Sequence, residues 1–208
     1  MSEGTRADRR EAVGNLKRGI ILEAALRVFA THGLRGASMR AIATEAGYVP
    51  GAIYAYFPSK EHIYAAALSE SLTRLRDATE TAASTAADAQ GRVVAAGLAF
   101  FDFYDANPRD LDLGFYLFGG GIQPRGLSEE LNRELNAALL ATLDPLRRAA
   151  VELGADAATA TALTADAFAH ASGLLLLVHT RRLELFDLDA RSLMRRHLEH
   201  LSTRTGPA

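Results

Sequence analysis

A chain of 208 residues with 49% hydrophobic and 23% charged side chains is long enough to bury a core and too apolar for bulk disorder. It contains no cysteine, which excludes a disulfide framework and thiolate zinc sites. The net charge of −2 hides a division: residues 1–60 carry nine Lys/Arg against five Asp/Glu, and residues 61–208 fourteen against twenty. A basic head on an acidic body suits an anionic partner that touches the head alone.

The first residues, MSEGTRADRREAVGN, lack the apolar core of a secretory leader, and the greasiest run, Gly173–Val178, is too short to cross a bilayer. The expectation is a soluble, cytoplasmic protein without a membrane partner. Apolar residues recur at the helical period throughout, and no strand-like alternation persists.

A first helix is predicted over roughly residues 10–32, with Ile21, Ala25, Val28 and Phe29 on one stripe and Gly33 just past its end. Ser38 caps a short second helix that Gly47 ends, and Pro50 suits the first turn of a short third. Ser59 caps a fourth helix reaching about residue 83, with Glu61 in its first turn. Small residues from Ala83 to Gly91 form a connector. A fifth helix to Ala106 carries Val94, Leu98, Phe101 and Tyr104 on one face. Asn107 and Pro108 open a sixth, which Gly119, Gly120 and Gly121 close. The seventh runs from Ser128 to Leu153, kinked or interrupted at Pro145. Asp156 caps a long apolar helix to about Arg182, and a last helix spans about Asp189 to Thr203. The fold class is all-α: a three-helix helix-turn-helix head over residues 10–62 and a larger helical bundle over residues 63–208.

In the stretch GYVPGAIYAYFPSKE, residues 47–61, Ile53 and Phe57 fall on one face and match Ile42 and Ala46 of the preceding helix. With Val49, which precedes Ile53 and Phe57 on their face, these four build a miniature core. Ala52, Tyr54 and Tyr56 cannot all point inward as well. Gly51 and Ala52 permit close approach to another backbone, and phenolic hydroxyls donate to phosphate oxygens. Tyrosines on so short a helix serve either a core or a DNA groove, and spacing alone does not decide.

Ser38–Leu68 resembles the helix-turn-helix signature of the TetR family of bacterial transcription regulators. Ser38, Ile42, Ala43, Ala46, Gly47, Gly51, Ile53, Tyr54, Tyr56, Phe57, Ser59, Lys60 and Glu61 fit it, and the preceding ILEAALRVFATHGLRGAS resembles the family's first helix. The resemblance implies a DNA-binding transcription regulator, a repressor released from a near-palindromic double-stranded operator by a small-molecule effector. Ser38 would bring a hydroxyl and free amides to a phosphate, and Arg40 would reach a base edge or a phosphate. Pro50, Gly51 and Ala52 would form the tip of the recognition helix. Tyr54 and Lys60 would grip phosphates, and Tyr56 would lie against base or sugar. The chain departs from the signature at Tyr48 and at Val49, where the family usually has valine and serine. Val49 would offer a thymine methyl an apolar contact instead.

The same resemblance implies a homodimer whose last two helices form an intersubunit bundle, with Leu174, Leu177, Val178, Met194, His197, Leu198 and Leu201 at the interface. An effector pocket is expected among Phe101, Tyr104, Phe115, Tyr116, Phe168 and His170, suited to an apolar or aromatic molecule. The sequence has no G-x-S-x-G elbow, phosphate-binding loop or dinucleotide fingerprint, so no enzyme, cofactor or metal is expected. The alternative is a helical protein-interaction module that has lost DNA binding.

Overall fold

The computed structural model describes residues 3–115 and 127–203, with side chains from Asp8 onward. Among the described residues all regular structure is helical: α1 Glu3–Gly36, α2 Met39–Glu45, α3 Pro50–Ile53, α4 Lys60–Thr85, α5 Ala89–Ala106, α6 Pro108–Gly114, α7 Glu129–Glu152, α8 Ala157–His179, a 3-10 turn Leu183–Phe186 and α9 Ala190–Thr203. The all-α expectation holds. Two compact units result: residues 1–70 with 112–133, and residues 71–111 with 134–208. The division falls inside α4, which is continuous from one unit into the other.

The helix boundaries follow from capping chemistry. Ser38 Oγ accepts from the Ala41 amide at 3.1 Å, Asp88 Oδ1 from Gly91 at 2.7 Å, Asp156 Oδ1 from Thr159 at 2.7 Å and Asp189 Oδ2 from Ser192 at 2.7 Å. Each satisfies an amide that the first helical turn leaves without a carbonyl. At the end of α2, Gly47 adopts φ +75°, so that its amide reaches Thr44 O and that of Tyr48 reaches Ala43 O. This paired return, a Schellman motif, needs the left-handed conformation that glycine supplies without strain. Gly33, with φ +66°, breaks the helical geometry of α1 where the sequence places the end, and one further turn follows.

Four elements differ from expectation. α1 begins earlier, at Glu3. The connector before α5 is short because Asp88 caps that helix early. Asn107 turns its amide back, donating from Nδ2 to Phe103 O at 2.7 Å, so its side chain closes α5. α7 runs unbroken through the buried Pro145; the missing amide hydrogen bond is tolerated in a helix whose flanks are tied to α5 by Arg92–Glu152 and to α4 by Arg148–Glu80. The three glycines expected to close α6 lie outside the described residues.

In the first unit Ile21, Ala25 and Phe29 of α1, Ile42 of α2, Ile53 of α3, Phe57 beyond it and Ile63 and Tyr64 of α4 are all essentially fully buried. In the second, α9 packs on α5 and α8. Gly97 of α5 sits directly against Leu198 of α9, whose methyl carbons lie 2.5 and 2.7 Å from where a Cβ would stand. α8 is long and apolar enough, by length and composition, to cross a membrane. Its Leu163, Leu174 and Leu175 are instead buried in this bundle.

Candidate nucleic-acid interface

The first unit presents α2 and α3 joined by the Gly47 turn, with α1 and α4 behind them. Ile42, Ile53 and Phe57 face inward as the spacing predicts; Ala46 is half-buried, and Val49 does not join them. The opposite side is open. Ser38, Arg40, Val49, Pro50, Gly51 and Tyr54 are exposed, Val49 by 71% and Tyr54 by 55%, while Ala52, Tyr56 and Lys60 are half-buried. A Cβ added to Gly51 would meet nothing within 4 Å, so the protein's own packing does not require glycine there. Val49 is the N-cap of α3 and offers no side-chain acceptor; the Ala52 amide donates to its carbonyl at 2.9 Å, and Pro50 has no amide to satisfy.

Three cations have structural tasks that the sequence did not reveal. Lys60 Nζ donates to the carbonyls of Arg35 at 3.1 Å and Ala37 at 2.8 Å, pinning the segment that leads into Ser38. An ammonium has three N–H bonds, so one remains for a phosphate. Arg18 of α1 donates from Nη1 to Tyr56 O at 3.0 Å, with its guanidinium carbon 4.3 Å from the centroid of the Phe57 ring. Arg27 pairs with Glu45 at 2.6 Å, tying α1 to α2. Position in the sequence signals none of these, because donor and acceptor lie 18 to 38 residues apart.

The residues expected to line an effector pocket are not all brought together in the second unit. Phe101 and Tyr104 are fully buried core; desolvation, reinforced by nearby Asp110, pushes the Tyr104 phenol well above its ordinary value. Phe115 belongs to the first unit, and Tyr116 lies outside the described residues. His170 stacks on His197 of α9, ring centroids 3.9 Å apart and planes within 16°. Of the described ones, Phe168 alone lines a groove of about 700 Å3, formed with Arg76 and Glu80 of α4 and Leu140, Leu143 and Arg147 of α7 among others. The sequence carries a sign of it: Leu139, Leu140 and Leu143 cover more of α7 than one core-facing stripe needs, and Leu140 is 67% exposed.

The expected dimer face is corrected. Leu174, Met194, Leu198 and Leu201 are buried inside the protomer, because the i, i+3, i+4, i+7 stripe of α9 faces α5 and α8 of its own chain. Leu177, Val178 and His197 are half-buried. α8 turns outward Ala162, Ala165, Asp166, Ala169, Gly173 and Leu176 on one helical face.

A helix-turn-helix whose outer surface exposes Ser38, Arg40, Val49 and Tyr54, followed by a helical body, has the architecture of helix-turn-helix DNA-binding proteins. Residues 21–67 match the family model of the bacterial regulatory proteins of the tetR family, so that over its head the chain is similar to that family. It is 34% identical over 119 residues to the HTH-type transcriptional activator FasR of Mycolicibacterium smegmatis, covering 53% of this chain and 54% of FasR. It is 37% identical over 67 residues to the HTH-type transcriptional repressor KstR of the same organism, covering 32% of this chain and 33% of KstR. The chain thus spans about half the length of the one and a third of the other. The solved structure of the transcriptional regulator FadR from Bacillus subtilis, in complex with stearoyl-CoA, superposes with a TM-score of 0.69 at 21% identity, covering 88% of this chain and 97% of that chain. That likeness extends the fold to the body.

Proposed function

We propose that the protein is a sequence-specific DNA-binding transcription regulator of the cytoplasm, acting as a repressor that a small-molecule effector releases from its operator. The observation that carries this reading is the division of α2 and α3 into a fully buried face and an exposed one. The exposed face bears Ser38, Arg40, Gly51 and Tyr54. Arg40 has no acceptor for its guanidinium among the described residues, which leaves it available to a base edge or a phosphate. The relatives supply both directions of control, an activator in FasR and a repressor in KstR. A reporter fused to the bound promoter separates them: repression predicts that loss of the protein raises expression.

A homodimer is the second part of the reading. Its support is the outward face of α8, where small Ala162, Ala169 and Gly173 allow close helix approach and Leu176, 49% exposed, supplies apolar surface. A two-fold axis would place two heads on half-sites about 34–36 Å apart, matching a near-palindromic operator.

The effector site in this reading is the groove of α4, α7 and α8. Its volume of about 700 Å3 is that of a small-molecule pocket. Arg147 pairs with Asp144 and Arg76 with Asp77, so the cations at its rim are already neutralised and apolar contact dominates. An apolar, chain-bearing molecule fits this lining, and FadR's stearoyl-CoA makes acyl-CoA the first class to try. α4 carries both the groove's Arg76 and the head's Ile63. A panel of acyl-CoAs of graded chain length, read by thermal shift, tests the site. At one hundred times Kd a ligand adds about 2.7 kcal/mol. A groove-blocking Ala165→Trp variant should abolish the shift; a shift that survives it places the ligand elsewhere.

A further inference from the structure

We infer that Arg18, outside the recognition segment and 38 residues from its contact in sequence, is a positioning residue that sets the angle at which α3 is offered to DNA. The inference rests on the DNA-binding reading. α3 has only four helical residues, far fewer than an isolated helix needs to persist, and its N-cap Val49 makes no side-chain hydrogen bond. Its direction is therefore set by what it is fastened to. Ile53 and Phe57, on one face, fix its depth. Two pegs define a line, and a short helix can still roll about that line.

A third point of attachment removes the roll. The amides of Tyr56 and Phe57 both fold back to Ile53 O, which closes the helix and turns the Tyr56 carbonyl outward just ahead of Pro58. Arg18 Nη1 binds that carbonyl while the same guanidinium lies over the Phe57 ring. One planar group thus holds a backbone oxygen and an aromatic face together, a combination that an ammonium reproduces poorly. Tyr54 and Tyr56, which flank the turn, take their direction from it. Arg27–Glu45 and Lys60 hold α2 and the segment before it, so Arg18 is, among the described residues, the polar tie to the end of α3.

The test compares the full-length wild type with Arg18→Lys, which keeps the charge, and Arg18→Gln, which keeps a donor. Each is titrated against a duplex selected by the wild type from a random pool and against a scrambled duplex. Thermal melting and backbone hydrogen exchange of the DNA-free proteins accompany the titrations. Both variants should lose about five- to thirtyfold in affinity for the selected duplex. Affinity for scrambled DNA and the melting temperature should stay at wild-type values for Arg18→Lys. Exchange should quicken selectively at the Tyr56 and Phe57 amides. Unchanged discrimination overturns the inference. So does an equal loss on both duplexes with a salt slope lower by one phosphate, which would make Arg18 a DNA contact. A fall in melting temperature that accounts for the whole loss makes it merely structural and overturns it too. If the wild type selects no duplex, the DNA-binding reading fails; unchanged exchange at Tyr56 and Phe57 would then still refute the role of Arg18.

Discussion

At Gly51 the protein keeps a residue that its own stability does not ask for. The position is helical, exposed, not in the left-handed region and open on the side a Cβ would occupy. Alanine there should leave the free protein as stable or raise its stability by up to about 1 kcal/mol, because glycine costs that much inside a helix. The same methyl should weaken operator binding about tenfold by overpacking the contact with DNA. Melting and DNA titration of Gly51→Ala measure the two effects separately, and a variant that binds as well as wild type would remove Gly51 from the interface. Single residues were legible where a local rule governs them: the Ser38 cap, the positive φ of Gly47 and the inward Ile53 all follow from neighbours within five residues. Lys60 was only half legible. Its place in the motif was evident, but the acceptors at Arg35 and Ala37 come from the end of α1 and the connector after it, and no local pattern announces them.

Between elements, packing decides what periodicity leaves open. The apolar stripe of α9 is plain in the sequence, yet a stripe says only that something covers it. The structure supplies α5 and α8 of the same chain as the cover, and thereby moves Met194, Leu198 and Leu201 from a dimer face to a core. Gly97 is where α5 admits Leu198, so Gly97→Ala should destabilise the protein by about 1–3 kcal/mol through overpacking, read in chemical denaturation. A neutral result would mean that the fully buried Leu198 can shift aside. The stacked His170 and His197 add a pH dependence to the α8–α9 contact. Burial lowers both pKa values from 6.5, and each His170 or His197 cation would also face its partner ring, with Arg196 opposing His170, and His200 opposing and Asp166 favouring the cation at His197. A histidine with a lowered folded pKa binds more protons when unfolded. Stability is therefore undiminished above the unfolded value and falls as pH drops below 6.5 through the folded pKa. His170→Gln should flatten the wild-type loss of melting temperature between pH 7 and pH 5; parallel profiles would show that the pair does not titrate in that window.

At the scale of the whole molecule, the basic balance of residues 1–60 and the acidic balance of the rest agree with a head that meets DNA and a body that does not. The helical body was readable from caps and periodicity, but of its groove only the surplus leucines of α7 gave a sign. Aromatic side chains in helical register mark a core as readily as a pocket, and Phe101 and Tyr104 are core, while the groove draws its lining from α4 and from the consecutive α7 and α8. If two copies meet through the outward face of α8, Gly173→Arg should convert the dimer to a monomer in sedimentation and weaken operator binding, since each head alone grips one half-site. A dimer that survives this change would place the interface elsewhere. The central claim is DNA recognition by the exposed face of α2 and α3. Its most direct measurement is the binding of wild-type protein to a selected duplex and to a scrambled one across a salt series. The account predicts at least about 10³-fold tighter binding to the selected duplex, with affinity for both falling linearly in log salt. Equal affinity for the two duplexes, or no salt-dependent binding to either, would contradict it.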